Sequence, residues 1–127
     1  MKLRGHHLIC LNFLPEALGP EFTRALREFK ERALGGEEVE IVEGPDELCS
    51  ACPYLGSEGC TNPSEEEIAE LDKYALEMLN LRVGERVRMD RVREILREKG
   101  DQIREFCSDC EFRSACEPEI GKFLESA

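Results

Sequence analysis

The sequence predicts a mainly α-helical fold, a small single domain over residues 1–127 with at most a two-stranded β ribbon. Apolar residues recur at helical spacing along most of the chain. Alternating apolar and polar residues are confined to two short segments, VEIVEG and GERVRM. Two cysteine loops, CSACPYLGSEGC and CSDCEFRSAC, interrupt the helical segments. The length suits one domain with its own hydrophobic core.

The first two helices are predicted before residue 35. One helical face of the opening KLRGHHLICLNFL collects four residues, Leu3, His7, Cys10 and Leu14. Pro15 ends this helix, because proline does not fit a helix interior. The segment EFTRALREFKERAL is predicted to form the second helix, and Gly35 lies just past its end.

The ribbon and a third helix are predicted in the middle of the chain. VEIVEG and GERVRM are expected to pair as the two strands. Between them, Ser64 and Glu67 form a capping box for a helix from about Glu65 to Asn80. The apolar stripe of that helix comprises Ile68, Leu71, Ala75 and Met78 or Leu79.

The C-terminal part of the chain is predicted to contain three short helical pieces. Asp90 caps a helix that stops at Gly100. One or two further turns then lead to Cys107. A last short helix, EIGKFLE, is expected to follow Pro118.

The sequence indicates a cytoplasmic protein outside the membrane. Its longest apolar run, Leu8 to Leu11, is far shorter than the roughly 20 residues of a membrane span. The run is also too short for a signal peptide, and no small-residue cleavage site follows it. In the cytoplasm disulfides are disfavoured, so cysteines there more often bind metal.

The seven cysteines are therefore interpreted as metal ligands. An odd number leaves one thiol over in any scheme of disulfides alone. Few Asn and Gln beside abundant Glu and Arg indicate a thermophile, in which intracellular disulfides do occur and stay an alternative. Compartment and spacing together favour ligation, and the fold is expected to be organised around cysteine metal sites.

Each cysteine loop has the form of a metal-binding triad. A C-x2-C pair places two sulfurs on one tight turn, and a third cysteine closes the loop over it. The triads are Cys49, Cys52 and Cys60 in the first loop, and Cys107, Cys110 and Cys116 in the second. Triads that take a fourth ligand from elsewhere are common in cubane iron–sulfur sites. We therefore expect a [4Fe-4S] cluster as the cofactor, with zinc as the alternative.

Cys10 and two histidines are candidates for the missing ligands. His6 and His7 precede Cys10 by four and three residues, so a helix places all three on one side. Cys10 is predicted to give a fourth thiolate to one triad, and the histidines to be ligands or to hydrogen-bond to ligands. The other triad would take a histidine, Asp109 or an exchangeable ligand. The alternative is that Cys10 is a core residue and the histidines cap buried carbonyl groups.

Three segments together resemble one family. The opening MKLRGHHLICL, the loop GPDELCSACPYLGSEGC and the terminal CSDCEFRSAC are similar to short, cysteine-rich bacterial and archaeal proteins that open with RGHHLLCL, an uncharacterised domain-of-unknown-function family. The resemblance implies a metal-linked cytoplasmic protein whose ligands are the seven cysteines, with His6 and His7 beside them. It implies no activity.

The function expected from the sequence is that of a small cytoplasmic iron–sulfur protein with an electron-transfer or redox-accessory role. The alternatives are a zinc-stabilised protein-interaction module and a small metal-dependent enzyme. No phosphate-binding loop, dinucleotide-binding, zinc-protease or serine-nucleophile motif favours an enzyme, so no catalytic residue is assigned.

The charge distribution predicts the kind of partner. The net charge is −11, and twelve acidic residues without a Lys or Arg lie between Gly35 and Asp72. Such a surface suits a basic protein as redox or assembly partner, and nucleic acid is not expected to bind. The arginines between Arg82 and Arg97 are interpreted as a solvated helix face paired with Glu94 and Glu98.

Overall fold

A computed structural model describes residues 1–15, 19–57, 59–61, 64–108, 110 and 112–125. The mainly helical prediction is confirmed, because helices account for most of these residues. The helices are α1 (Gly5–Cys10), α2 (Gly19–Leu34), α3 (Glu65–Leu79), α4 (Met89–Arg97), α5 (Gly100–Phe106) and α6 (Arg113–Glu125). The strands are β1 (Lys2–Arg4), β2 (Glu38–Val42), β3 (Leu55–Gly56), β4 (Gly59–Cys60) and β5 (Arg86–Arg88).

The predicted ribbon is present, but the sheet is larger than predicted. β2 and β5 pair antiparallel, with Val39 opposite Val87. β1 adds a third strand, parallel to β2, with Leu3 opposite Ile41. These four side chains are buried, so one face of the sheet lies against the core. The expectation of at most two strands is therefore corrected to a three-stranded sheet, and β3 with β4 forms a separate short hairpin in the first cysteine loop.

The opening segment is not the single helix that its spacing predicts. Lys2–Arg4 is strand β1, and α1 contains only Gly5–Cys10. The backbone N–H of Arg4 donates to Asp46 Oδ2 at 2.7 Å, so the end of the strand is tied to the first cysteine loop. An inward-facing Leu3 is buried equally well by a strand or a helix. Over so few residues the periodicity could not separate the two.

The last helix begins earlier than predicted. α6 starts at Arg113 and contains Pro118 in its interior. An interior proline costs a helix about 3 kcal/mol. That cost is offset by burial, because Cys116, Ile120 and Phe123 recur at helical spacing and are all buried. The expectation of a helix that only follows Pro118 is therefore wrong.

Helix α3 matches its prediction closely. The Ser64 side chain accepts the backbone N–H of Glu67 at 3.2 Å, and Asn80 ends the helix in the left-handed region with φ of 56°. Asn tolerates this region better than most residues. One buried position breaks the apolar stripe, because Asp72 lies there between the half-buried Leu71 and the buried Ala75.

Close packing of α1 on α3 places the N-terminal motif at the centre of the molecule. A Cβ atom on Gly5 would lie 2.5 Å from the backbone carbonyl oxygen of Asp72, so only glycine allows this approach. Buried side chains from Leu3 to Phe123 join one hydrophobic core around the pair. Helix α1 thus directs His6 and Cys10 toward the two cysteine loops. Among the helices in the described part of the chain, none combines the length and the apolar character that a membrane crossing requires.

Candidate metal centre

A cavity of about 580 Å³ lies between α1, α3 and the two cysteine loops. Its size falls within the range of ligand sites in proteins. The predicted ligands that line it are Cys10, Cys49, Cys52, Cys60, Cys107, Cys110, His6 and His7. Cys116, the remaining predicted ligand, is buried. The other walls are mainly apolar and include Leu14, Phe22, Tyr54, Ile68, Leu71, Phe106 and Phe112.

Cys10 belongs to the neighbourhood of the second cysteine loop. Burial raises the pKa of Cys10 well above its ordinary value, and the nearby thiol groups of Cys107, Cys110 and Cys116 raise it further. Burial likewise raises the pKa of Cys107 to about 12 and that of Cys116 to about 11. Cys10, Cys107 and Cys110 also line the same cavity, and Cys116 belongs to the same loop as the last two. The fold thus brings a thiol from the N-terminal helix to the C-terminal triad.

Local hydrogen bonds build the turn of the second loop. The backbone N–H of Cys110 donates to the carbonyl of Cys107 at 3.1 Å, which closes the C-x2-C turn. The backbone N–H of Cys116 donates to the carbonyl of Phe112 at 3.0 Å in the first turn of α6. Cys110 is exposed, whereas Cys107 and Cys116 are buried. One corner of the four-thiol region therefore reaches solvent.

The first loop uses the same turn and a hairpin. The backbone N–H of Cys52 donates to the carbonyl of Cys49 at 2.9 Å around a short 3-10 turn. Cys60 lies on β4, opposite Leu55 of β3. Burial, followed by the charge of Asp46, raises the pKa of Cys49 to about 12. That direction is opposite to the one expected for an activated cysteine nucleophile.

The spacing of the thiols separates two kinds of metal site. In the described part of the chain, the one group of three candidate ligand atoms within 4.8 Å of one another comprises His7, Asp46 and Cys49. All seven cysteines are described, so no three thiols lie that close together. A single tetrahedral ion with metal–sulfur distances of about 2.3 Å holds its thiolates about 4 Å apart. A cubane spreads them further, because each cysteine binds a different iron.

Each histidine of the opening motif is paired with a carboxylate. His6 Nδ1 lies 2.6 Å from Asp72 Oδ1, and His7 Nδ1 lies 2.6 Å from Asp46 Oδ2. The two ring centroids are 4.3 Å apart. Because each Nδ1 is engaged by a carboxylate, Nε2 is the ring atom left for a ligand. A carboxylate behind the imidazole is the usual arrangement around a metal-binding histidine.

His6 is neutral at physiological pH. Burial is the largest effect on its titration, and it lowers the pKa of His6 to about 4 despite the neighbouring Asp72 carboxylate. A neutral ring that donates Nδ1–H to Asp72 keeps a lone pair on Nε2. This ring atom can therefore accept a hydrogen bond or bind a metal without first losing a proton.

A buried arginine connects the first loop to α1 and α3. The Arg4 side chain has no exposed surface, and its Nε donates to Asp72 Oδ2 at 2.8 Å. Its Nη1 donates to Glu65 Oε1 at 3.0 Å, and its Nη2 contacts Glu65 Oε2. Glu65 Oε1 also accepts the backbone N–H of Cys60 at 3.0 Å. Nη1 of the same arginine lies 4.0 Å from Cys49 Sγ.

The structure adds polar residues that the sequence analysis missed, Arg4, Asp46, Glu65 and Asp72. Asp46 lies three residues before Cys49, the first cysteine of its loop, and that position could have marked it as part of the site. Asp72 occupied the apolar stripe of a predicted helix, where a carboxylate needs a buried partner. Asp109, a suggested fourth ligand, lies outside the described residues.

Comparison with known proteins identifies the family alone. Residues 19–116 match the model of a family described as "Protein of unknown function (DUF1284)". The match includes both cysteine loops, whereas the opening motif with Cys10 precedes it. No curated protein and no solved structure matches the chain. Since the match covers most of its length, the chain belongs to the family of proteins of unknown function DUF1284.

Proposed function

We propose that the protein binds an iron–sulfur cluster of the [4Fe-4S] type and serves in electron transfer or as a redox-accessory protein. The observation that carries this proposal is the meeting of four thiols from the two ends of the chain. Helix α1 provides Cys10, which lines the same cavity as Cys107 and Cys110 of the second loop, and that loop also provides Cys116. A cubane takes one thiolate for each of its four irons, so the set is complete.

The residues present fit such a cluster in number and in chemistry. Thiolates are the ligands that iron–sulfur clusters take. No three thiols of the chain lie within 4.8 Å of one another, so the sulfurs are not gathered as a single tetrahedral ion would need them. Apolar side chains such as Phe106 and Phe112 line the adjacent cavity and limit the access of water. When bound, the cluster would supply one-electron chemistry.

The surroundings of the thiols support a role in redox exchange. Cys110 is the exposed member of the set and would mark the edge where electrons enter or leave. Cys107 and Cys116 are buried and Cys10 is half-buried, and solvent exposure is one of the factors that tune the potential of a cluster. The carboxylates of Asp46 and Asp72 are buried, but the exposed acidic residues between them and Gly35, such as Glu38, Glu47 and Glu66, suit a basic protein partner for electron transfer or assembly and disfavour nucleic acid.

A zinc-stabilised protein-interaction module is the second candidate function. The group of His7, Asp46 and Cys49 favours it, because nitrogen and sulfur donors at short range suit zinc. In that case metal would only hold the loops, and the acidic surface would recognise the partner. We favour the cluster because the four-thiol set is complete without the histidine.

The cellular setting that we propose is the cytoplasm of a thermophile. No disulfide joins the seven cysteines, all of which are described, and this agrees with a reducing cytoplasm. The low content of Asn and Gln continues to favour a thermophilic source.

The experiment that tests the proposal is purification without oxygen, followed by a visible spectrum. A brown protein that bleaches on addition of dithionite and contains iron and sulfide in equal amounts is expected. Colourless protein with stoichiometric zinc and no iron would favour the interaction module instead.

A further inference from the structure

The cavity contains a hydrogen-bond acceptor that the four-thiol set does not use. His6 lines the cavity, and its Nδ1 lies 2.6 Å from Asp72 Oδ1. The neutral ring donates Nδ1–H to this carboxylate, so its lone pair is on Nε2. None of the described residues forms a hydrogen bond with that nitrogen, whereas every fully buried side-chain nitrogen or oxygen among them has a partner. His6 Nε2 is therefore accessible from the cavity and can accept a hydrogen bond from a ligand.

Two carboxylates lie at the opening of the cavity without a cation. Glu67 of α3 and Glu105 of α5 both line the cavity, and both are exposed, so they lie where it meets solvent. Neither forms an ion pair within the described part of the chain. Negative charge at the mouth of a cleft attracts cations and repels anions.

The wall behind the cavity has surplus negative charge as well. The Arg4 guanidinium is already bound by Asp72 and Glu65. The carboxylate of Asp46 has no exposed surface, and its ion-pair partner in the described ranges is His7, which is a cation only when it is protonated. One guanidinium thus stands against three carboxylates at this wall. Such a wall favours a positively charged ligand, because charges interact strongly where water is excluded.

The arrangement suits an organic cation better than a metal ion. Among the described residues, one group of three candidate metal ligands lies within 4.8 Å, and two of its members, His7 and Asp46, already contact each other at 2.6 Å. An ammonium group needs no such convergence, since single hydrogen-bond acceptors and the faces of aromatic rings stabilise it. The aromatic side chains that line the cavity are Phe22, Tyr54, Tyr74, Phe106 and Phe112.

We propose that the cavity binds a primary ammonium group carried on an apolar body, with His6 Nε2 as its hydrogen-bond acceptor and the aromatic side chains around the apolar part. Glu67 and Glu105 attract the cation to the opening. The volume of about 580 Å³ suits a small organic molecule. The same chemistry has two sources, a free amine or the lysine side chain of a basic partner protein, which carries its ammonium on a flexible four-carbon stem. The site goes beyond the proposed cluster and uses none of its ligands.

Ligands that share one apolar body but differ in charge test the proposal on the wild-type protein, purified without oxygen. Phenethylammonium is the cation, phenethyl alcohol the neutral counterpart and hydrocinnamate the anion. In calorimetric titrations the ammonium should bind at least about tenfold more tightly than the alcohol, and hydrocinnamate should not bind. Acetyl-lysine methylamide and its norleucine counterpart repeat the comparison for a lysine side chain.

The outcomes separate the two sources. Tight binding of phenethylammonium alone indicates a free amine, and tight binding of the lysine amide alone indicates a partner's lysine. Binding of neither would overturn the proposal, and so would neutral counterparts that bind as tightly as the cations. Calorimetry does not require iron. A colourless protein that binds an ammonium probe would therefore contradict the cluster and leave this site standing.

A pair of variants places the cation in this cavity. Glu67→Gln should weaken binding of the ammonium probe about 2- to 5-fold. Glu66→Gln is the matched control, because Glu66 is the exposed neighbour on α3 that does not line the cavity and its replacement removes the same charge. Its affinity should equal that of the wild type. The nitrogen resonance of His6 Nε2 should also shift when the probe binds. Equal affinities in the two variants together with an unmoved His6 resonance would overturn the proposal.

Discussion

Arg4 Nε donates to Asp72 Oδ2 at 2.8 Å, inside a protein whose Arg4 side chain has no exposed surface. The same guanidinium binds both carboxylate oxygens of Glu65. Asp72 in turn holds His6 through Oδ1, which accepts the backbone N–H at 2.9 Å. The buried Arg4 side chain therefore connects β1 directly to α3, and through Asp72 to α1, at the wall of the cavity.

Replacing Arg4 should destabilise the fold strongly. Arg4→Met keeps most of the side-chain volume but leaves two carboxylates near each other without a cation. Breaking a buried pair in this way costs about 3–5 kcal/mol. Arg91→Ala is the matched control, because Arg91 forms an exposed pair with Glu94 at 3.2 Å and such pairs contribute about 0–1 kcal/mol. Denaturant titration of both variants measures the free energy of unfolding. Equal small losses would contradict the role of Arg4.

Two glycines in helices should respond to alanine in opposite directions. Gly5→Ala places a Cβ atom 2.5 Å from the Asp72 carbonyl oxygen and should cost at least about 1–3 kcal/mol, because α1 must move away from α3. Gly121→Ala meets no atom within 4 Å and should stabilise α6 by about 0.5–1 kcal/mol. Thermal unfolding of the two variants checks the sign of each change. A Gly5→Ala protein as stable as the wild type would show that the two helices are not so closely packed.

Regular elements were predictable from the sequence where local signals agreed. Ser64 and Glu67 marked the start of α3 correctly, and the alternation around Val39 and Val87 identified the antiparallel pair. Strand β1 was not predictable, because three residues carry no period and the parallel partner lies far away in the sequence. α6 passes through Pro118 because tertiary burial of Ile120 and Phe123 outweighs the local preference.

The sequence indicated the candidate ligands of the site, but not the carboxylates that hold the two histidines. Cysteine spacing predicted both loops, and helical spacing predicted that His6 and His7 lie on the same side of α1 as Cys10; all three residues line the cavity. The carboxylates behind the histidines were not predicted, since Asp46 and Asp72 lie 39 and 66 residues from their partners. Only the folded chain brings them together. The assignment of seven thiols to metal is still a prediction.

Retention of the cluster should depend on pH. Burial raises the pKa of Cys107 to about 12 and that of Cys116 to about 11, so at neutral pH a proton competes with iron for each sulfur. The competition grows as the pH falls. Transfer of iron to a chelator should therefore be faster at pH 6 than at pH 8, followed by loss of visible absorbance without oxygen. Equal rates at both pH values would argue against ligation by these thiols.

The acidic surface should select proteins over nucleic acids. With a net charge of −11, the chain should not bind duplex DNA at physiological salt, and its association with a basic redox protein should slow as salt is added. A gel shift and stopped-flow mixing check the two expectations. Tight, salt-sensitive binding of DNA would show that the arginines between Arg82 and Arg97 act as a phosphate-binding surface.

Loss of the second loop's ligands should remove metal and stability together. Cys107→Ser or Cys110→Ser should lose iron and melt at a lower temperature, because the cluster links the two ends of the chain. Ser108→Ala, a change at an exposed neighbour in the same loop, is the control and should keep both. Unchanged iron content in both cysteine variants would show that the second loop does not bind the cluster.

The most direct test of the account is iron and sulfide analysis of Cys10→Ala beside the wild type, both purified without oxygen. Cys10 is the one ligand of the proposed cluster that lies outside the second loop and outside the matched family segment. About four irons and four sulfides per wild-type chain are expected. In Cys10→Ala the cluster should be lost, or its visible spectrum should differ clearly from that of the wild type. A full complement of iron with an unaltered spectrum in Cys10→Ala would contradict it and make Cys10 a core residue.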